Sequence, residues 1–284
     1  PDAIDFGTVM YDVASEPVNV TVTNTGSGII TLTASDISII GPNAAEFSFG
    51  TDGLTANLAT GESVNIPVTV QSTTAGAISA TLRMAYAGVN YDVALSANVM
   101  PQGILFIGEG TLYNIDTGAP CVYGGYYKNG REQYLVTAAE LTAAGAQPGL
   151  ISSLGFNVFD PRTSADLLNF SIKIGATDAT GFANDEFFTN LQDVYTEGLY
   201  TPIVGWNNHT FDTPFYWDGT SNIVVQTSYD LIPAVLRNAR TYYTYDSANQ
   251  VLYYRSDTIP WHTVAAGTPS SNRPNMMLNV VEPG

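Results

Sequence analysis

Val18-Asn19-Val20-Thr21-Val22-Thr23 alternates apolar and polar side chains without a break, Asn24-Thr25-Gly26-Ser27-Gly28 turns the chain, and Ile29-Ile30-Thr31-Leu32 resumes it. A period of two sends alternate side chains to opposite faces of an extended strand, and Asn, Gly and Ser are the residues a tight turn tolerates. The same grammar recurs at Ser63–Val70, Ala77–Met84 and Asn90–Ser96. About seven short strands at spacings of roughly 8–15 residues predict an immunoglobulin-like sandwich over residues 1–100. Pro67 falls inside one alternating run. Having no N–H for a ladder, it is expected at an edge or a bulge.

Composition supports strands beyond this first region. The 284 residues are 45% hydrophobic but only 12% charged, and a wet face of Thr, Ser and Asn suits strands better than long helices. One cysteine, Cys121, excludes an intrachain disulfide framework. The net charge of −17 argues against nucleic acid and against anionic lipid as partners. No apolar run of about 18 residues is present to cross a membrane, so direct membrane insertion is not expected.

The chain divides near residue 100. Residues 1–100 hold a single basic residue, Arg83, and no Trp, whereas Trp206, Trp217, Trp261 and most of the Tyr follow. Asn98-Val99-Met100-Pro101-Gln102-Gly103 reads as a short hinge between two sandwiches, stiff enough to make the pair a rod segment. Beyond it, strands are expected at 104–108, 151–158, 168–174, 210–215, 223–229, 242–245, 251–255 and 276–280, the 242–245 and 251–255 pair bracketing a turn at Asp246–Gln250. Many strands with long loops favour a larger jelly-roll-like β-sandwich over 103–284. Thr137–Gly145 is the exception, a two-turn helix with a Thr cap, Glu140 at the capping-box offset and a terminal Gly.

Two resemblances sit on these residues. Ile4-Asp5-Phe6-Gly7-Thr8-Val9, Asn24-Thr25-Gly26, Gly41-Pro42-Asn43-Ala44-Ala45-Glu46-Phe47 and Leu58–Ser63, in that order, resemble the abnormal-spindle/Hydin group of immunoglobulin-like domains. That group includes choice-of-anchor versions in long exported bacterial proteins. Over residues 1–99 the resemblance implies a spacer or binding module without catalysis. Ile107–Thr111, Tyr134–Leu141, Ile151–Phe156, Gly219–Val225 and Asn272–Asn275 resemble a β-sandwich region of large secreted Bacteroidota surface proteins. This implies a secreted or cell-surface setting. The 112–133 segment, with Cys121, Lys128 and Arg131, departs from that pattern.

Candidate chemistry is sparse. Serine or cysteine catalysis needs a base, and only His209 and His262 are available, with no nucleophile elbow beside either. Asp212, Asp218 and Asp230 lie near aromatics, but carboxylates are so numerous that a glycosidase pair does not stand out. No enzyme activity is expected. Calcium, which takes carboxylate and amide oxygens, fits Asp178, Asp185, Glu186 and Asp193 better than zinc fits one Cys and two His. A solvated acidic loop is the competing reading. The aromatics offer a ligand platform: Trp206, His209, Tyr216 and Trp217, with Tyr242 further on, since a ring covers the apolar face of a sugar while amides bond its hydroxyls. The competing reading is that most of these rings pack the core.

The expected function is a non-catalytic module of a larger secreted or cell-surface protein. It would adhere to a glycan or surface protein alongside neighbouring domains of the same polypeptide. The alternatives are a purely structural stalk, and an accessory region of a secreted glycan- or peptide-active enzyme.

Overall fold

The computed structural model describes residues 2–52, 54, 57–115, 117–161, 166–230, 237–245 and 250–281. It is almost entirely β-strand in several stacked sheets, a sandwich-type all-β architecture. The chain falls into two compact units, Pro1–Ile104 and Leu105–Gly284.

The first unit contains β1 (Ala3–Val9), β2 (Val18–Thr23), β3 (Ile30–Thr31), β4 (Ile37–Ile40), β5 (Phe47–Phe49), β6 (Asn57–Leu58), β7 (Ser63–Val70), β8 (Gly76–Tyr86) and β9 (Val89–Val99). One sheet runs β1-β9-β8-β4, a second β2-β7-β5, and β3 pairs with β6. Alternation delivers the core: Ile66, Val68 and Val70 of β7 and Ile78, Ala80, Leu82 and Met84 of β8 are buried in one apolar cluster. Each fully buried aliphatic side chain contributes about 1.5–3 kcal/mol.

Pro67 corrects its expectation, because β7 is the middle strand of its sheet. The sheet tolerates it because β5 stops at Phe49, opposite Val68. Beyond that point, the Gly50 N–H donates to the Pro67 carbonyl at 2.8 Å, so the missing N–H falls where the ladder on that side ends.

The second unit begins within β10 (Ile104–Ile107). It continues through β11 (Leu112–Tyr113), β12 (Asn129–Val136), α1 (Ala138–Ala143), β13 (Gly149–Asp160), β14 (Leu167–Thr177), β15 (Gln192–Tyr200) and β16 (Gly205–Trp217). Then come β17 (Asn222–Asp230), β18 (Arg240–Tyr245), β19 (Val251–Ser256), β20 (Thr268–Ser270), β21 (Asn272–Pro274) and β22 (Met276–Val281). One sheet runs β10-β22-β13-β18-β11, with β16 also on β13 and β21 on β18; the other runs β15-β14-β17-β12-β19-β20. Their inner faces meet through rings, Phe156 of β13 against Tyr134 of β12 and Phe170 of β14 against His209 of β16. Among the described residues no helix is long and apolar enough to cross a membrane.

The expected helix forms. Thr137 caps α1, its hydroxyl accepting from the Glu140 N–H, and the Glu140 carboxylate reaches back to the Thr137 N–H. Gly145 ends it at φ 95°. Arg273 then clamps Glu140 and also donates to the Leu135 carbonyl. The turn expected at Asp246–Gln250 falls mostly on residues 246–249, outside the described set.

Tyr86 and Val89 are register partners across the β8–β9 hairpin, so Ala87 and Gly88 are its two loop residues, at φ 50° and 80°. Two positive φ values define a primed turn, which favours Asn at the first position over Ala. Ala87→Asn is expected to raise unfolding stability by about 0.5–1 kcal/mol. A urea midpoint that stays put or falls would contradict this turn geometry.

Candidate functional site

Strand parity sorts the residues singled out from the sequence. Along β16 the odd positions His209, Phe211, Phe215 and Trp217 point inward and the even positions Asn208, Thr210, Asp212 and Tyr216 point outward. Trp217 is 1% exposed, and its Nε1–H donates to the Ser221 carbonyl at 2.8 Å. It belongs to the core and is removed from the ligand platform.

His209 is equally buried, 1% exposed. Its ring centroid lies 4.7 Å from Tyr200, 4.8 Å from Tyr195 and 5.0 Å from Phe170. Nε2 shares a 2.8 Å hydrogen bond with the Tyr123 hydroxyl, while Nδ1 has no partner among the described residues. Burial disfavours the imidazolium and lowers the pKa to about 3. The ring is therefore a neutral core group, the second correction to the platform. Tyr216 is 55% exposed, but its register partner on β13 is Leu150, seven residues from Asn157, the partner of Trp206, which sets the two about 23 Å apart at the usual rise.

Trp206 and Tyr242 are brought together. Both line a cleft of about 550 Å³ with Phe106, Tyr113, Asn157 and Asn275. The pairing follows from register. Trp206 is the Cα partner of Asn157 and Tyr242 that of Tyr113, and cross-strand partners present side chains on the same face. Phe106 packs at 5.3 Å from the Trp206 ring. At the other end Tyr113 stacks on Phe159, 4.4 Å apart and nearly parallel, and Tyr242 meets both edge-on. Arg240 lies 5.2 Å over the Tyr113 ring.

Gly110 shapes this wall. A Cβ there would stand 2.0 Å from the Tyr243 carbonyl. The Gly110 N–H donates to Thr244 Oγ1 at 2.8 Å, and its carbonyl accepts from Asn275 Nδ2 at 2.7 Å. Asn275 is thus committed to the scaffold, while the Asn157 amide, half-buried, has no side-chain partner among the described residues. Phe106, Tyr113, Asn157 and Phe159 were not singled out from sequence. The outward parity of Asn157 and Phe159, flanking inward Val158, is the signal that could have found them.

The acidic stretch takes a different form. Asp178, Asp185, Glu186 and Asp193 are all exposed, Asp193 pairs with Lys173 at 2.8 Å, and Glu186 forms a β-bridge with Ala266. No group of three metal-ligating side chains gathers among the described residues. What the stretch seats is Phe187, buried under the Arg131 guanidinium at 3.6 Å, and Phe188, whose backbone bonds Gln133 in both directions.

The remaining carboxylates hold loops. Asp218 accepts from the Thr220 and Ser221 N–H groups, which with the Ser221 hydroxyl keep its pKa well below the usual range. Asp230 accepts from Trp261 Nε1 and Asn169, and Asp212 from the Thr196 N–H. Cys121 is buried against Glu132, its N–H and Sγ both within 2.9 Å of Oε1, and burial pushes the thiol pKa up.

No family model matches the chain, and no curated protein matches it. Among solved structures, similarity is found to the secreted serine protease VesC from Vibrio cholerae, at 12% identity and a TM-score of 0.28. The alignment covers 97% of this chain and 48% of that one, so the chain spans about half its length.

The buried imidazole ties stability to acid. The unfolded His209 takes a proton below pH 6.5, whereas the folded one stays neutral down to about 3. Its contribution is therefore complete above pH 6.5 and lost as pH falls through that window, on the order of 1.4 kcal/mol per pH unit. His209→Phe is expected to flatten the urea-midpoint curve between pH 6 and 4. Equal slopes in variant and parent would contradict a neutral buried imidazole.

Proposed function

We propose that this chain is a non-catalytic binding module of a larger secreted or cell-surface protein, with the cleft beside Trp206 as its ligand site. The observation that carries the reading is the pairing of Phe106 with Trp206 and of Tyr113 with Tyr242 around one cleft. Half-exposed rings around a concavity with an uncommitted amide are what a small-ligand site requires. The ligand class is a glycan or a segment of surface protein.

Absence of catalysis is part of the proposal. Its support is that the His209 imidazole is walled in by rings and the Cys121 thiol is held protonated by burial, so neither presents a reactive group to solvent. The immunoglobulin-like identity of the first unit and the jelly-roll identity of the second belong to the same proposal. Alternating strands in two facing sheets support them. The first unit then serves as a spacer that displays the second.

A structural calcium ion remains part of the reading through the exposed carboxylates Asp178, Asp185 and Glu186, and it enters the test as a variable. A glycan array and a peptide display library, each run with calcium and with chelator, are expected to yield a ligand whose binding is lost in Trp206→Ala. The Trp206→Ala melting temperature should stay near the parent's. Trp217→Ala is expected to cost about 3–5 kcal/mol of stability by emptying a core site. Ligand binding that survives Trp206→Ala would place the site elsewhere and end this reading.

A further inference from the structure

The first unit carries a feature of its own, independent of the Trp206 cleft. Its sandwich is open along one side. A cleft of about 530 Å³ lies there, walled by β2 and the start of β9, with the buried Leu32, Met84 and Val93 at its base. Tyr91 is the register partner of Met84, and Val89 that of Tyr86, so all four side chains share the inner face of their sheet. Met84 is buried, yet Tyr91 is 55% exposed, Val89 51% and Tyr86 36%. Side chains on the core face are left uncovered at this end.

The edge of β2 says what shape would cover them. The Asn24 N–H donates to the Glu62 carbonyl, and the Asn24 carbonyl accepts from the Gly61 N–H, so Asn24 faces β7. Hydrogen-bonded and non-hydrogen-bonded pairs alternate along an antiparallel ladder. The backbone groups of Val18, Val20 and Val22 therefore face β7, and those of Asn19, Thr21 and Thr23 face the other way. These outer groups have no backbone partner among the described residues. Sheet edges are usually blunted by charge, proline, irregularity or shortness. β1 breaks register between Asp5 and Thr8, and β4 and β5 have only four and three residues. β2 instead keeps unbroken register with β7 over six residues and holds no charge and no proline.

A strand laid on β2 would bond the free groups of Thr21 and Thr23. Its alternate side chains would enter the cleft beside Val20 and Val22. The others would join the outer polar face, where Thr21 bonds Asn65 and Thr23 bonds Ser63.

Charge selects the occupant. Residues 1–100 hold nine carboxylates and one basic residue, Arg83, which is spent on Asp92 at 2.7 Å. Asp2 and Asp92 line the cleft and are exposed. A second copy would bring the same acidic surface to the seam and be repelled, whereas basic flanks are attracted.

We infer that the first unit binds a partner polypeptide by strand addition. The occupant is an extended segment about as long as the six residues of β2, apolar at alternate positions and flanked by Lys or Arg. This gives the unit a binding role besides that of a spacer.

Fluorescence anisotropy of the whole chain with labelled synthetic peptides tests this. A lysine-flanked Thr-Val repeat should bind about tenfold or more tighter than the same repeat flanked by glutamates, and tighter than a lysine-flanked Thr-Ser repeat. Tyr91→Ala and Thr21→Pro should each weaken binding about tenfold or more. Thr21→Pro removes an N–H that the β2–β7 ladder does not use, so its melting curve should stay close to the parent's. If that variant unfolds, Tyr91→Ala decides. Tyr216→Ala, exposed in the second unit, should bind as the parent does. Hydrogen exchange followed by NMR should slow at the Thr21 and Thr23 amides when the peptide binds, which capture by side chains alone would not produce. Failure of every peptide to bind, unslowed edge amides, no preference for basic flanks, or binding indifferent to Tyr91→Ala would each overturn the inference. A concentration-dependent dimer that slows the same amides would put a second copy in the cleft and overturn it too.

Discussion

All eight residues of β12, Asn129–Val136, are buried, with β17 on one edge and β19 on the other. A strand enclosed on both edges and both faces can leave no polar group to water, so its side chains dictate what must surround them. Asn129 holds the Trp261 N–H and the Ser256 carbonyl. Glu132 accepts from Cys121 on one oxygen and from the Tyr134 hydroxyl, at 2.5 Å, on the other. Burial raises the Glu132 pKa, and these hydrogen bonds oppose the rise. Gln133 joins Gln226 and the backbone of Phe188. Arg131 reaches the Val264 carbonyl and lies against Phe187, its pKa lowered to about 10 by burial yet still charged at neutral pH. Three loops, before β12, around Phe187 and around Trp261, are fixed by one strand's polar groups.

That dependence explains what could be read from the chain in advance. β2, β7, β8 and β9 are half-buried strands, and their alternation shows it directly; α1 carries its capping box in four letters. β12 carries the opposite signal. Asn129-Gly130-Arg131-Glu132-Gln133 reads as a solvated run, because nothing local says that the loop before it and loops 55 and 132 residues away will supply partners. The acidic stretch misleads in the same way. Its carboxylates attract attention as metal ligands, whereas the residues that order it are Phe187 and Phe188, which pack back onto β12.

The candidate site was half legible for a reason of period. Trp206, His209, Tyr216 and Trp217 are close in sequence, but a strand sends neighbours to opposite faces and separates every second residue by about 6.6 Å. Proximity in sequence therefore dispersed the cluster, two rings into the core and one along the strand. Tyr242, 36 positions from Trp206, came closer than Tyr216 because β13 bridges β16 and β18. Cross-strand register, which composition does not reveal, decides membership of such a site.

Charge placement supplies the last constraint. Arg83 is spent on Asp92, Lys173 on Asp193 and Arg273 on Glu140. Arg131 and Arg255 lie over the rings of Phe187 and Tyr253. These five cations are thus occupied in holding strands and loops together, and the net charge of −17 leaves a surplus of carboxylates to set the field over the outer surface. Long-range attraction of an anion has little to draw on, and the recognition proposed at the cleft would fall to short-range stacking. Stacking depends steeply on ring orientation, and the orientation of Tyr113 and Tyr242 depends on the ladder between β11 and β18. Close approach at Gly110 permits that ladder's flanking loop to seat. The same period-two geometry that builds the core therefore also aims the rings outside it.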